Sequence, residues 1–198
     1  VYAALQSFVD TDRLAEGSIE MIRAAACNYW AQGIDGLYLG HWFGRWPYGA
    51  DFYEILRELP HPEVMAPQDK IYALPTQTGR YPEAPPLEPG TSMQLPRDLA
   101  VGTPVRIELP VSDEVRRWGK VQRVHEVLLR LRVMATTELD RLSFRLNGRL
   151  LPPEALRTIN EMYRMSAPRY RTGSGYWFVF RLEPSVWPKN GRNVIEVA

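Results

Sequence analysis

Cysteine and histidine are scarce in this 198-residue chain, and their scarcity narrows its chemistry. Cys27 is alone, so no disulfide forms within the chain. It falls in an Ala-rich helical stretch, where a buried small apolar role is expected rather than a catalytic thiol. None of the three histidines has partners at metal-ligand spacing, and His61 and His125 are expected to be structural or at the surface. With no P-loop or dinucleotide glycine motif, we expect no metal and no cofactor.

The chain also lacks a large excess of charge of either sign, and it lacks long apolar runs. The net charge is only +1 and there are three lysines, so no overall field favours nucleic acid. No apolar run is long enough for a transmembrane helix, and no signal peptide is recognisable. We expect neither nucleic acid nor membrane as a partner. Because the chain starts at Val1 inside an apolar run, we expect a piece of a longer protein. Localisation stays open, with secretion or export to the periplasm as one option for the intact protein.

The charges that are present are distributed unevenly along the chain. Residues 1–75 carry 5 basic and 10 acidic side chains, whereas residues 76–198 carry 19 basic and 13 acidic ones. Opposite net charges favour two separately organised parts. The arginines of the second part are scattered singly along predicted strands. This spacing is typical of solvated strand faces and not of a phosphate-binding patch.

Residues 1–74 alternate between predicted strands and helices. The predicted elements are, in order, a strand at 1–9, a helix at about 18–32, a strand at 34–39 and a helix at about 49–59. Ser18 is placed to cap the first helix and Gly33 to end it. The order strand, helix, strand, helix is typical of a parallel sheet covered by helices, so we predict an α/β domain here. Two parallel strands leave open edges, which indicates missing partners that either the upstream chain or another subunit would supply.

The stretch that follows is rich in proline. Seven of the seventeen prolines lie between Pro75 and Pro104. Proline sustains neither a helix interior nor a central strand. We therefore predict a linker, or a strap along the surface, at residues 75–103.

From residue 104 the apolar pattern changes to a period of two. The alternating or apolar runs lie at 105–109, 127–133, 142–146, 176–182 and 193–197. Asn147-Gly148 predicts a two-residue hairpin because a type I′ turn needs positive φ at both central positions, and Asn190-Gly191 predicts a second turn. Residues 152–164 are open between a short helix and a long loop. These features predict an antiparallel β-sandwich at residues 104–198.

Two stretches carry a resemblance to a known family. The first is the run RAAACNYWAQGIDGLYL from Arg23 to Leu39, with DKIY at 69–72 after it. The second combines the hairpin at 146–148 with Trp177-Phe178 and the turn at 191–193. Together they resemble the C-terminal portion of bacterial glycosyl-hydrolase-like (β/α)8-barrel proteins that carry an appended jelly-roll β-sandwich.

The resemblance implies an architecture and a ligand. Residues 1–9 would be strand seven and residues 34–40 strand eight, so that residues 1–74 hold the last two βα units of a partial TIM barrel. Strands one to six would belong to a missing N-terminal barrel portion, which becomes an expected partner. Residues 104–198 would be the appended sandwich. A glycan is the expected ligand of the intact barrel.

The densest aromatic segment follows the second predicted strand. It reads GHWFGRWPY over residues 40–48. In such barrels function lies at the carboxyl ends of the strands, and flat aromatic faces suit sugar rings. The candidate glycan contacts are Gln6, His41, Trp42, Arg45 and Trp46. The alternative is that these aromatic side chains pack the top of the barrel and the next helix.

The catalytic carboxylates of a glycosidase are not evident. Glycoside hydrolysis needs two of them, one on each side of the bond. The resemblance puts a nucleophilic glutamate at the end of strand seven, where this chain has Gln6 and Ser7. The acid would come from the absent strand four. Asp10, Asp12 and His41 are the remaining candidates, although aspartate is common in turns for local hydrogen bonding. We expect this chain alone to be inactive.

Three functional readings remain open at this point. The first is a C-terminal piece of a carbohydrate-active, glycoside-hydrolase-like protein whose intact barrel binds or hydrolyses a glycan. The second is a non-catalytic carbohydrate-binding or structural module, which the missing glutamate favours. The third is a protein-interaction piece held by a partner through its acidic part.

Overall fold

The computed structural model describes residues 1–6, 18–40, 50–74, 94–137, 139–160 and 175–198. The chain divides into two units. The first comprises Val1–Asp98, Glu108–Asp113 and Asn190–Arg192. The second comprises Leu99–Ile107, Glu114–Lys189 and Asn193–Ala198. Most of the predicted linker, residues 75–93, lies outside the described residues.

The first unit begins with a parallel strand–helix–strand arrangement. Its elements are β1 (Tyr2–Gln6), α1 (Ile19–Ala31) and β2 (Gly36–Gly40). The two strands pair in parallel. Ser18 caps α1 by accepting a hydrogen bond from the Met21 amide at 3.3 Å, and Gly33 follows the helix with φ +79°. The predicted helix, its cap and its glycine end are confirmed, because each follows from local backbone chemistry.

Two further helices complete the described core of the first unit. They are α2 (Ala50–Glu58) and α3 (Pro62–Met65). The helix predicted at 49–59 is confirmed. The short α3 was not predicted from the sequence; it begins at Pro62, because proline suits the first turn of a helix. The buried core side chains are Leu5, Ile22, Ala26, Cys27, Ile55, Leu59 and Met65.

Polar contacts hold α2 against α1. Arg23 pairs with Glu58 through two hydrogen bonds, at 2.8 and 3.1 Å, and the Trp30 indole donates to the Leu59 carbonyl at 2.7 Å. Both contacts come from the same side of α1. They orient α2 while the apolar residues between the helices supply most of the stabilisation.

One face of the β1–β2 sheet has no cover among the described residues. Tyr2, Ala4 and Tyr38 are exposed, although Leu5 on the opposite face is buried. The Tyr2 ring lies across Gly36, where a Cβ atom would come within 2.6 Å of the ring. Each strand also pairs only with the other within the described part of the chain. A parallel sheet is normally buried on both faces, so this sheet is incomplete in the described residues.

The described strands from Val105 onward form two antiparallel sheets. The strands are β3 (Val105–Val111), β4 (Leu128–Met134), β5 (Phe144–Leu146), β6 (Arg149–Leu150), β7 (Leu156–Asn160), β8 (Gly175–Arg181) and β9 (Gly191–Val197). The four-stranded sheet has the order β3-β9-β5-β6, and the three-stranded sheet has the order β4-β8-β7. A short helix, α4 (Val115–Lys120), lies between β3 and β4. The five strands predicted from alternation are confirmed.

Aromatic side chains join the two antiparallel sheets. Phe144 of β5 contacts Phe178 and Phe180 of β8, with ring centroids 5.0 and 5.1 Å apart. Phe144 and Phe180 are almost fully buried. Tilted aromatic pairs of this kind add to the stabilisation from apolar burial.

The predicted Asn147-Gly148 hairpin is confirmed. It joins β5 to β6, with φ of +52° at Asn147 and +80° at Gly148. Residues 152–160 were left open between helix and loop, and they form a 3-10 turn at Pro153–Ala155 followed by strand β7. The strand was missed because five residues after two prolines give little periodicity.

The fold class is therefore mixed α/β, with a small parallel sheet and its helices followed by two antiparallel sheets. Neither a closed barrel nor a jelly roll is formed by the residues described. None of the described helices is long and apolar enough to cross a membrane.

Candidate functional site

The carboxyl ends of β1 and β2 meet at one edge of the parallel sheet. The register runs from Tyr2 opposite Gly36 to Gln6 opposite Gly40. Gln6 is therefore level with Gly40, the first residue of the aromatic segment GHWFGRWPY, and both strands end at this edge. Parallel strands end at the same edge of a sheet, so the sequence predicts that Gln6 and Gly40 are level, and the backbone register confirms it.

The remaining candidate residues of this edge lie outside the described part of the chain. They are Asp10, Asp12, His41, Trp42, Arg45 and Trp46. Of the predicted set, only Gln6 is described, through its backbone position. The two histidines assigned a structural or surface role are exposed, and His61 pairs with Glu63 at 3.3 Å.

A buried polar cluster in the first unit was not predicted. The Lys70 side chain is only 2% exposed, and its ammonium group lies 3.1 Å from Asp113 and donates to the carbonyls of Ala66 and Gln68 at 2.9 and 3.0 Å. These three acceptors use the three ammonium protons. The arrangement explains how a lysine is accommodated in the interior, since a buried charge needs both a counter-charge and hydrogen bonds.

Tyr72 and Cys27 belong to the same buried region. The Tyr72 hydroxyl shares a 3.0 Å hydrogen bond with Ser112, and burial, with the Asp113 carboxylate, raises the pKa of Tyr72 far above its usual range. Burial also raises the pKa of the Cys27 thiol to about 11. Neither group is ionised near neutral pH, so this cluster is a structural one rather than a source of a nucleophile or a base.

No group of three or more potential metal ligands occurs among the residues described. The described part of the second unit does contain a surface pocket of about 200 Å³. Its lining includes Arg116, Arg149, Lys189 and the buried Trp187. No site was expected here from the sequence. The basic residues come from separate elements, so no local motif could have revealed the pocket.

No protein family model matches this chain, and no curated protein matches it either.

Proposed function

We propose that this chain is the C-terminal portion of a carbohydrate-active, glycoside-hydrolase-like (β/α)8-barrel protein with an appended β-sandwich. In this proposal the intact barrel binds a glycan at the carboxyl edge of β1 and β2. The observation that carries the proposal is the parallel register of Gln6 with Gly40. It supports a common edge for Gln6 and the aromatic segment after Gly40, and barrel proteins bind ligands at that edge.

The incomplete parallel sheet supports the barrel part of the proposal. The strand–helix–strand unit is the repeating unit of such barrels, and α2 follows in the expected place. Tyr2 and Tyr38 expose aromatic surface on the face opposite α1. In a barrel this face would point inward and would be covered by the other strands. The expected partner is therefore the N-terminal barrel portion, which would supply strands one to six.

The two antiparallel sheets support the appended sandwich. Phe144 contacts both Phe178 and Phe180 from the facing sheet, as side chains do in the interior of a β-sandwich. The jelly-roll form of this sandwich is part of the proposal. The sandwich would be an accessory domain, and the barrel would hold the main glycan site.

The side chains assigned to glycan contact have complementary roles. Trp42 and Trp46 would stack on sugar rings, because the apolar C–H face of a sugar matches a flat aromatic ring. Gln6, His41 and Arg45 would hydrogen-bond the hydroxyl groups. This division follows the usual make-up of ligand sites, in which apolar surface supplies contact area and a few polar groups fix orientation.

Binding is favoured over hydrolysis as the activity at this edge. Gln6 is the last residue of β1, where a glycosidase of this type would need a carboxylate. Asp10, Asp12 and His41 stay as candidate catalytic residues, but a second carboxylate would have to come from the missing barrel portion. The alternative function, a non-catalytic carbohydrate-binding or structural module, is favoured by the same Gln6.

Replacing the two tryptophans tests the glycan site. In the intact protein, Trp42→Ala and Trp46→Ala are each expected to weaken glycan binding by about tenfold, since loss of a stacked aromatic ring costs roughly 1–2 kcal/mol. Binding is measured by retention on a glycan array followed by titration with the best-retained glycan.

Trp42→Phe and Trp46→Phe are the matched controls, because they keep a flat ring and should retain most of the affinity. Unchanged glycan retention by both alanine variants would refute the site. A hydrolysis assay on the same intact protein separates the catalytic from the non-catalytic reading.

A further inference from the structure

The pocket of the second unit has a cationic rim and an apolar floor. Its lining residues are Arg116, Leu146, Asn147, Arg149, Ser185, Val186, Trp187 and Lys189. Three of the eight are basic and none is acidic. The three basic residues are exposed, so their charges are accessible to a ligand. We call this site the cationic pocket.

Two guanidinium groups converge on one carbonyl oxygen at the rim. Arg149 donates to the Ser185 carbonyl at 2.6 Å, and Arg116 donates to the same oxygen at 3.4 Å and to the Trp187 carbonyl at 3.3 Å. Within the described residues neither arginine forms an ion pair with a carboxylate. Two positive charges held at one neutral oxygen repel each other, and an anion between them would relieve this repulsion. Both guanidinium groups retain N–H donors for such an anion.

The rim is held in place by a buried polar side chain. Asn193 is fully buried. Its carbonyl oxygen accepts from the Asn147 side chain at 2.8 Å and from the Lys189 amide at 2.9 Å, and its amide group donates to the Lys189 carbonyl at 2.8 Å. These bonds tie the hairpin turn at Asn147 to the backbone of Lys189. The pocket is therefore preorganised, which reduces the entropic cost of binding.

The floor of the pocket is apolar and rigid. Leu146 and Trp187 are buried, and the Trp187 indole is fixed by a 2.8 Å hydrogen bond to the Leu182 carbonyl. The volume of about 200 Å³ is below the range of roughly 300–1,000 Å³ that is usual for drug-sized ligands. A single ring with one negatively charged substituent matches this volume, the apolar floor and the cationic rim.

We propose that the cationic pocket binds a sugar ring that carries a carboxylate, such as a uronic acid unit of a glycan. The carboxylate contacts Arg116 and Arg149, whose planar groups suit it as bidentate donors. The ring lies against Leu146, Val186 and Trp187. The choice of a sugar as the carrier of the carboxylate rests on the proposed function, whereas the anion-binding part rests on the pocket alone.

Titration calorimetry with three probes tests this proposal on the full chain. The probes are glucuronate, which has both ring and carboxylate; glucose, which has the ring alone; and acetate, which has the carboxylate alone. Glucuronate is expected to bind at least about tenfold more tightly than either of the others. Arg149→Gln is expected to weaken glucuronate binding by about tenfold or more, because a charge-assisted hydrogen bond is lost.

Arg117→Gln is the matched control. It removes one arginine charge from α4, the helix that also carries the pocket residue Arg116, but Arg117 does not line the pocket, so binding should be unchanged. Glucuronate binding that is absent, or that Arg149→Gln and Arg117→Gln weaken equally, overturns the proposal.

Equal binding of acetate and glucuronate overturns the sugar part and identifies a plain carboxylate site. Such a result leaves the glycan site of the first unit to its own test, in which Trp42 and Trp46 are varied. Each of the two proposals can therefore be refuted without the other.

Discussion

Burial determines the chemistry of Cys27. The side chain is only 7% exposed, and it lies in the middle of α1 among apolar residues. Desolvation raises its pKa to about 11, even though the charge of Lys70 acts in the opposite direction. An unfolded cysteine has a pKa of roughly 8.5. The thiol is therefore protonated in the folded protein under conditions in which it is partly ionised in the unfolded chain.

This shift predicts a slow thiol reaction and a loss of stability at high pH. At pH 8, Cys27 should react with an aromatic disulfide reagent roughly 100-fold more slowly in the folded protein than in guanidinium chloride. The folded state holds the proton more tightly, so its contribution to stability is complete below about pH 8.5 and is lost as the pH rises towards about 11. Reaction kinetics and denaturation at several pH values measure both effects. Equal labelling rates in the folded and unfolded chain would contradict the buried position.

The environment of a single residue could be predicted from the sequence where its neighbours in the sequence determine it. The role of Cys27 as a small buried residue was predicted from its Ala-rich helix, and no partner was needed for that conclusion. The burial of Lys70 could not be predicted, because its counter-charge, Asp113, is distant in the sequence. A lysine alone in a sequence is normally exposed, and only the tertiary contact reverses that expectation.

At the scale of elements, α4 depends on a glycine for its packing. A Cβ atom at position 119 would clash with the Trp187 ring. Because Trp187 is the floor of the cationic pocket, the close approach at Gly119 also sets the shape of that site. The short α4 has no periodic apolar pattern in the sequence, so its packing against Trp187 is evident only in the structure.

Gly119→Ala should therefore destabilise the protein through overpacking. We expect a loss of about 1–3 kcal/mol in the free energy of unfolding, with a change in tryptophan fluorescence as the Trp187 ring moves. Urea denaturation measures the first effect. Gly148→Ala is the comparison variant: its Cβ would meet nothing within 4 Å, and its φ of +80° costs about 1–2 kcal/mol without a change at Trp187. An unchanged stability in Gly119→Ala would refute the close packing.

Elements with a repeated pattern or a defined turn chemistry were predictable. The five alternating strands and the Asn147-Gly148 hairpin follow from period-two burial and from positive φ. Strand β7 was missed because its five residues follow two prolines and show little periodicity, and the pairing with β8 that stabilises it is a tertiary contact. The same reason accounts for the cationic pocket, since its basic residues come from α4, β6 and the turn before β9. The common edge at Gln6 and Gly40 was predictable because it requires only the rule for parallel strands.

At the scale of the whole molecule, the uneven charge agrees with a division of function. Residues 1–75 have a net negative charge and include the carboxyl edge of β1 and β2. Residues 76–198 have a net positive charge and include the cationic pocket. Under the proposals above, the first region would hold the glycan site of the barrel, and the second region would hold the separate carboxylate site. This division makes the location of glycan binding the central claim.

Hydrogen–deuterium exchange of the intact protein, with and without its best-retained glycan, tests that claim most directly. Glycan contact at the carboxyl edge should slow exchange in peptides that cover the end of β1 and residues 40–48, by about tenfold for amides that become shielded. Peptides from α2 serve as an internal reference. Protection at the edge of β1 and β2 is expected in the presence of glycan. Unchanged exchange there, under conditions in which the glycan is bound, would contradict it.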